Sequence, residues 1–149
     1  MDLILWRHAE AEDADARGDL ERALTKRGRK QAERMGEWLR PRIPDDALVI
    51  ASPARRAVQT AKGLDRAFEE RAALAPGASA ASLLLEAGWP DSARTVIVVA
   101  HQPTLGEVAA QVLGASSGLS VRKASIWWFV ARDGGAVLRC VMDADLAAP

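Results

Sequence analysis

Three short apolar runs stand out along the chain, and longer amphipathic segments separate them. The runs cover residues 3–6, 47–51 and 95–100, they are rich in Val, Ile and Leu, and none alternates between apolar and polar positions. Short continuous runs with many β-branched side chains are typical of strands that are buried on both faces, as in a parallel sheet covered by helices. The pattern therefore predicts three buried parallel strands.

Four amphipathic segments follow these runs or lie between them, and each carries signals for its ends. The expected N-caps are Thr25, Ser52, Ser79 and Thr104. Pro53 would stand in the first turn of the second helix, whose apolar stripe runs from Ala57 to Phe68. Glu107 stands at capping-box spacing from Thr104, and Gly88 and Gly114 would end the third and fourth helices.

The last part of the chain has a different pattern. Residues 124–131 and 136–142 resemble strands, and Asp133-Gly134-Gly135 between them is typical of a hairpin turn. The neighbouring Trp127 and Trp128 would point to opposite faces of the first hairpin strand, one of them into the core. A β-hairpin is therefore expected to close the sheet.

Strands that alternate with helices and then end in a hairpin predict an α/β fold. We expect a three-layer α/β/α sandwich with a mostly parallel sheet and an antiparallel C-terminal hairpin. Residues 1–149 contain no strong linker, so they are expected to form a single domain. Two irregular segments, residues 9–24 and 71–78, are long enough to be functional loops.

Composition excludes several classes of protein. The 149 residues carry 20 basic and 20 acidic side chains, and a formal net charge of zero gives no general reason to expect a nucleic-acid or membrane-surface partner. One cysteine cannot form an internal disulfide framework or a Cys-rich zinc site. No apolar run approaches the roughly 20 residues that span a bilayer, and the N-terminus does not resemble a signal peptide. A cytoplasmic location is the expectation.

The chain has two histidines, and each comes directly after a predicted strand. Arg7 and His8 follow the first run, and His101 follows the third. The helix after the second run carries Arg55 and Arg56 in its first turn. Because the carboxyl ends of parallel strands form a common crevice, these side chains are expected to meet at one edge of the sheet.

Arginine and histidine in this arrangement favour phosphoryl chemistry. A guanidinium group matches phosphate oxygens with two parallel hydrogen bonds, and helix N-termini add further positive potential. An unprotonated imidazole is a nucleophile toward phosphorus, and a protonated one donates a hydrogen bond to the phosphoryl group. No metal ion or cofactor is needed, because the arginines can neutralise the transferring group. Spacing alone does not decide which histidine attacks.

Taken singly, these residues have more ordinary roles. A single histidine at a strand end is more often structural than catalytic, and an Arg-Arg pair is more often a solvated helix face, so only their joint placement favours a phosphoryl site. A cysteine phosphatase needs an arginine at a fixed distance after its cysteine, and Asp145-Leu146 stand at that distance from Cys140, which is expected to be a small core residue. Asp143 and Asp145 follow a strand too close to the end of the chain to build an aspartyl-phosphate site.

Four ordered motifs resemble those of the histidine phosphatase superfamily, which has a phosphoglycerate mutase-like fold. They are LILWRHAEAED, LTKRGRKQAERMGEWL, VIASPARRAVQTA and VIVVAHQPTLGEVA, and together with LAPGAS they point to the SixA-like phosphohistidine phosphatase branch. The resemblance implies that His8 is the nucleophile that accepts the phosphoryl group. It also implies that Arg7 and Arg56, rather than Arg55, bind phosphoryl oxygens, and that His101 stabilises charge in the transition state.

Two departures from the superfamily pattern carry information. Ala9 replaces the usual glycine after Arg-His, and residues 71–79 lack the carboxylate that protonates the leaving oxygen in many members. An alkoxide needs that proton, whereas an imidazole leaving from phosphohistidine needs it less. Glu69 and Glu70 are expected to form the solvated end of the preceding helix. Glu10 and Glu12 are expected to be solvated loop residues, and acid catalysis by them is the less favoured alternative.

The sequence therefore predicts a cofactor-independent phosphatase that works through a covalent phosphohistidine intermediate. The favoured substrate is phosphohistidine on a protein. The alternatives are a small phosphoester or an acyl or amido phosphate, and, in a different class, a non-catalytic phosphate-binding regulatory module. The expected partner is thus a phosphorylated protein or a small phosphorylated molecule, with no role for nucleic acid or membrane.

Overall fold

The computed structural model describes residues 1–147, and these contain one six-stranded mixed sheet. Its strands are β1 (Asp2–Arg7), β2 (Leu48–Ala51), β3 (Glu69–Glu70), β4 (Val96–Ala100), β5 (Ile126–Arg132) and β6 (Gly135–Met142). They lie in the order β3-β2-β4-β1-β5-β6, and the first four are parallel. Strand β5 is antiparallel to β1 and to β6, so the hairpin closes the sheet as predicted.

Helices cover both faces of the sheet and complete the predicted three layers. They are α1 (Lys26–Leu39), α2 (Arg55–Lys62), α3 (Ala80–Ala87) and α4 (Thr104–Leu113). Ile4 and Trp6 of β1 pack with α1 and α2, and Leu3 and Leu5 pack with α3 and α4. Side chains that alternate along β1 are all fully buried, which explains why the run lacks polar positions.

Two of the expected N-caps and two of the expected helix ends are confirmed. Thr25 Oγ1 accepts a hydrogen bond from Gly28 N at 2.9 Å, and Ser79 Oγ accepts one from Ser82 N at 3.1 Å. Gly88 and Gly114 adopt the left-handed conformation with φ of 68° and 70° and end α3 and α4.

The other two predicted N-caps, Ser52 and Thr104, are wrong, because both side chains bind other segments. Helix α2 begins at Arg55 rather than after Ser52, and Ala54 stands at its N-cap without a side-chain cap. Thr104 is the first residue of α4, and its hydroxyl donates to the backbone oxygen of Ala78 at 2.6 Å, so it forms no capping box. The Ser52 hydroxyl binds His101 and the Thr104 hydroxyl binds Ala78, so each connects distant segments instead of capping a helix.

The segment after α2 also differs from the sequence prediction. The helix ends at Lys62, and Phe68 is half-buried against the same core without being helical. Glu69 and Glu70 are not the end of a helix; they form β3, which pairs in parallel with Ile50 and Ala51. Both glutamates are exposed because β3 is an edge strand, and this is why they lack the apolar pattern of the inner strands.

The aromatic pair and the cysteine lie close to their expected places. Trp128 is buried in the core beneath α1, and Trp127 is half-buried against the opposite core, as their alternation predicts. Cys140 is half-buried at the margin of the α1 side of the core. Within residues 1–147 no helix has the length and apolar character needed to cross a membrane.

Candidate active site

The two histidines lie side by side because their strands are neighbours. Arg7, the last residue of β1, is in register with Ala100, the last residue of β4. His8 and His101 follow directly, and their ring centroids are 5.2 Å apart at a tilt of 55°. His8 N donates to the backbone oxygen of Ala100 at 3.1 Å, which extends the sheet register to the site. The structure thus brings together two residues that are far apart in sequence.

The His8 ring is held in one tautomer by its own backbone. Its Nδ1 lies 2.8 Å from the backbone oxygen of Ala9, and because a carbonyl only accepts, Nδ1 carries the proton. Burial lowers the pKa of His8 to about 4; the bond to Ala9 opposes this shift, and the charges of Arg56 and Arg7 add to it. The ring is therefore neutral at pH 7, and its lone pair resides on Nε2.

His101 is bound to the serine that the sequence assigned to a helix cap. Its Nε2 lies 2.7 Å from Ser52 Oγ, and both side chains are buried. Ser52 Oγ also accepts a hydrogen bond from Ala54 N at 3.2 Å, so the serine proton is free to be donated to Nε2. Burial, with a smaller contribution from the nearby His8 and Arg56, lowers the pKa of His101 to about 3. With Ser52 as the donor, the neutral His101 ring carries its proton on Nδ1.

Arg56 points into the site, whereas Arg55 is exposed on the outer side of α2. Arg56 Nη1 donates to the backbone oxygen of Asp19 at 2.9 Å, and Nη2 donates to Asp19 Oδ2 at 3.1 Å. Asp19 also accepts from Arg22 Nη1 at 3.2 Å. Partial burial raises the pKa of Asp19, but the hydrogen bonds from Arg22 and Arg56 outweigh it and lower the pKa below its ordinary value. Asp19 was not predicted from the sequence, where its only signal is a place in the long loop after β1.

Arg7 reaches the same edge from the end of β1. Its Nη1 donates to the backbone oxygen of Val121 at 2.8 Å, which ties the site to the segment before β5. Burial lowers the pKa of Arg7, although an arginine remains charged at neutral pH. The guanidinium therefore supplies a fixed positive charge next to His8.

Three buried side-chain nitrogens at this site lack a hydrogen-bond partner in the part of the chain that the structure describes. Within residues 1–147, the buried side-chain nitrogen and oxygen atoms without a hydrogen-bond partner are Arg7 Nε, Arg56 Nε and His101 Nδ1. A buried donor that is left unpaired costs about 1–3 kcal/mol, so three of them at one edge require a functional explanation. Three donors fit a phosphoryl group, which offers three acceptor oxygens. Residues 1–147 contain no cluster of three or more His, Cys, Asp or Glu side chains arranged to hold a metal ion.

Consecutive residues of α2 attach the two ends of the loop that carries Asp19. Thr60 Oγ1 accepts from Ala9 N at 3.0 Å, at the start of the loop, and Gln59 Oε1 accepts from Leu24 N at 2.7 Å, at its end. Thr60 is fixed in turn by donating to the backbone oxygen of Arg56 at 2.8 Å. Gln59 and Thr60 of the VIASPARRAVQTA motif therefore position the loop around the site.

A family model places the chain among known proteins. The model of the histidine phosphatase superfamily (branch 1) matches residues 3–79, more than half of the chain and the part that contains Arg7, His8 and Arg56. The chain belongs to the histidine phosphatase superfamily. It is accordingly a phosphatase, a hydrolase of phosphorylated substrates.

Individual relatives agree with this membership. This histidine phosphatase is 29% identical to a phosphohistidine phosphatase SixA homolog from Haemophilus influenzae in an alignment of 141 residues. The match covers 85% of this chain and 85% of the relative. A solved structure of a protein assigned as SixA from Nakamurella multipartitia matches with a TM-score of 0.75 and 29% identity, over 95% of this chain and 94% of that one. A phosphoserine phosphatase from Entamoeba histolytica shares the fold, with a TM-score of 0.75 at 18% identity over 96% and 97% of the two chains. A shared fold therefore does not identify the substrate, which depends on the residues of this chain's own site.

Proposed function

We propose that this histidine phosphatase removes the phosphoryl group from phosphohistidine on a protein, with His8 as the covalent nucleophile. The observation that carries the proposal is the state of Asp19, the carboxylate that contacts Arg56. Hydrogen bonds from Arg22 and Arg56 keep its pKa low, so it is ionised and has no proton to give to a leaving group. A substrate whose leaving group needs no such proton suits this site best.

The loop without carboxylates supports the same conclusion. The backbone oxygen of Ala78 accepts from Thr104, three residues after His101, so the end of the 71–79 segment lies beside the site. This segment offers no acid to an alkoxide. An imidazole that is already protonated on its second nitrogen leaves phosphorus as a neutral molecule. Phosphohistidine therefore does not need a general acid from the enzyme.

The first step transfers the phosphoryl group to the enzyme. The lone pair of His8 Nε2 forms a bond to phosphorus while the bond from phosphorus to the substrate imidazole breaks, and the electron pair of that bond stays on the leaving nitrogen. Arg7 and Arg56 bind the phosphoryl oxygens through their unpaired Nε groups. His8 Nδ1 keeps its proton and its bond to the Ala9 oxygen throughout, which fixes the ring for attack.

His101 stabilises the transferring group without having to be charged. Because Ser52 donates to Nε2, the neutral ring retains a proton on Nδ1 and can donate it in a hydrogen bond to a phosphoryl oxygen. In the second step water attacks phosphorus and the bond to His8 Nε2 breaks, with its electron pair staying on Nε2. The oxygen and both protons of that water leave with the phosphate as H2PO4−. His8 returns to the neutral form in which it began.

A comparison of substrates tests the proposal. We expect hydrolysis of a histidine-phosphorylated protein to exceed that of a phosphoserine peptide of matched sequence, and we expect an acid-labile, base-stable phosphoenzyme that is lost in His8→Ala. Preference for the phosphoserine peptide would contradict the choice of substrate but not the nucleophile. A stable label in His8→Ala would contradict the nucleophile. Small phosphoesters and acyl or amido phosphates are compared in the same assay.

Three further expectations belong to this proposal. The partner is a phosphohistidine-bearing protein, the location is cytoplasmic, and residues 1–149 act as a single domain. The neutral overall charge and the single cysteine support the first two. The match to a SixA-assigned structure over 95% of the chain supports the third.

A further inference from the structure

A groove lined by basic side chains lies next to the phosphoryl site. Its volume is about 370 Å³, and its cationic lining consists of Arg7, Arg27, Arg122 and Lys123, which we call the basic groove. Glu10 is the carboxylate in the lining. The groove is formed where the start of α1 meets the end of β1 and the segment before β5.

Arg7 connects the basic groove to the site. It is the last residue of β1 and precedes His8, and its Nη1 donates to the backbone oxygen of Val121 at 2.8 Å. Val121 stands between Ser120 and Arg122, which both line the groove. A substrate that places its phosphoryl group on His8 therefore has the basic groove on the other side of Arg7.

Positive charge remains in the groove after its ion pairs are considered. Arg122 is paired with Asp143 at 2.7 Å and is largely neutralised. Arg27 meets Glu10 only at 3.7 Å, and its side chain is 78% exposed. Within residues 1–147, Lys123 has no carboxylate oxygen within 4.0 Å. The charges of Arg27, Lys123 and Arg7 therefore exceed that of Glu10, although the whole chain is neutral.

We propose that the basic groove binds acidic side chains that surround the phosphohistidine on the partner protein. This inference depends on the proposed function. Sites for small ligands are enclosed and rigid, whereas the outer cations of this groove lie on exposed side chains. Exposed charges of one sign beside a reacting site suit a charged protein surface, because they steer its approach and fix its orientation.

Removing the outer cations should weaken this recognition and leave the chemistry intact. The test uses Arg27→Gln/Lys123→Gln in the full chain. The matched control is Lys62→Gln/Arg132→Gln, which removes one lysine and one arginine that are exposed and have no ion pair within residues 1–147. Lys62 ends α2, and Arg132 ends β5 at the edge opposite His8, so neither borders the groove.

The probes are two phosphohistidine peptides of equal length, one flanked by Glu and the other by Gln. For the Glu peptide we expect Arg27→Gln/Lys123→Gln to lose about tenfold in kcat/KM at low ionic strength, the lower end of what electrostatic steering contributes. The loss should disappear at high salt, where exposed charges are screened. The Gln peptide, p-nitrophenyl phosphate and the control variant should show no change.

Two results would overturn the inference. One is an equal loss on p-nitrophenyl phosphate, which would mean that the substitutions disturb the site itself. The other is an unchanged kcat/KM on the Glu peptide. Binding of the unphosphorylated Glu and Gln peptides is measured in parallel, because the groove should prefer the Glu peptide whether or not a phosphoryl group is transferred. Failure to hydrolyse either phosphopeptide with this preference intact would contradict the proposed function alone, and equal binding of both peptides would contradict the groove.

Discussion

Asp19 accepts hydrogen bonds from both outer nitrogens of the Arg56 guanidinium. Nη1 donates to its backbone oxygen at 2.9 Å and Nη2 to its carboxylate at 3.1 Å. Arg56 is 4% exposed, and its Nε is left without a partner within residues 1–147. The loop residue therefore fixes the plane of a buried guanidinium and leaves its inner edge available. This relationship explains why an exposed loop contributes to a buried site.

We expect Asp19→Ala to lower kcat/KM by about tenfold, the lower end of what a hydrogen bond to a charged group contributes. The loss should appear mainly as a higher KM, because Arg56 would bind the phosphoryl group in a less well-defined orientation. Asp19→Asn should lose less, since its amide oxygen still accepts from Nη2. Asp15→Ala is the control, because Asp15 lies in the same loop and pairs only with the exposed Arg17. An equal loss in Asp15→Ala would show that loop stability, not Arg56, is responsible.

The acid limb of the pH profile should lie well below the ordinary pKa of histidine. As the proposed nucleophile, His8 would attack only when it is unprotonated, and its pKa is lowered to about 4. Activity on p-nitrophenyl phosphate, corrected for ionisation of that substrate, should therefore be constant from neutral pH down to about pH 5 and fall as His8 gains a proton near pH 4. A midpoint near 6.5 would contradict the assignment of a neutral, desolvated nucleophile.

Ser52→Ala should reduce kcat by about tenfold with little change in KM, the pattern expected when an interaction acts in the transition state. Without the serine proton, His101 is no longer held with its own proton on Nδ1. Nitrogen NMR of labelled histidine should show the Nδ1-protonated form in the wild type and a mixture in Ser52→Ala. Ser125→Ala is the control, since Ser125 is equally buried but binds the Met142 backbone oxygen at 3.3 Å. An unchanged tautomer with reduced kcat would contradict this role.

Gly28→Ala should destabilise the protein and impair the site together. A methyl group at this position would overlap the backbone oxygen of Glu10, which also accepts a hydrogen bond from Thr25 N at 3.0 Å. We expect a loss of about 1–3 kcal/mol in the free energy of unfolding, measured in urea, because both backbones must move. Gly135→Ala is the control, since its added methyl would meet no atom within 4 Å. Equal stability of the two variants would contradict the close approach.

The features that the sequence predicted are those that depend on local pattern. Continuous burial of β1 and β4 appears directly as runs without polar residues, and the order of the motifs places His8 and His101 at strand ends. Ser52 was misassigned because Ser-Pro is also a local helix-start pattern, whereas its actual partner, His101, lies 49 positions away. No local pattern can distinguish these two uses of one hydroxyl.

Asp19 and β3 were missed for related reasons. Asp19 stands in an exposed loop without periodicity, among several other acidic residues, and only the folded position of Arg56 selects it. Glu69 and Glu70 form an edge strand of two residues, which is too short and too polar to show a period. The apolar stripe that ends at Phe68 continues beyond α2 because core packing, not helix geometry, requires an apolar residue there.

Attachment of both ends of the 9–24 loop to Gln59 and Thr60 has a consequence for how the enzyme can diverge. Since adjacent residues of one helix fix the ends, the exposed tip at residues 13–18 can change in length at a cost that grows only slowly with each added residue. Insertions there would lengthen the loop while its attached ends stay in place. The exposed tip is therefore the part of this loop into which recognition elements could be inserted while Asp19 keeps its contact with Arg56.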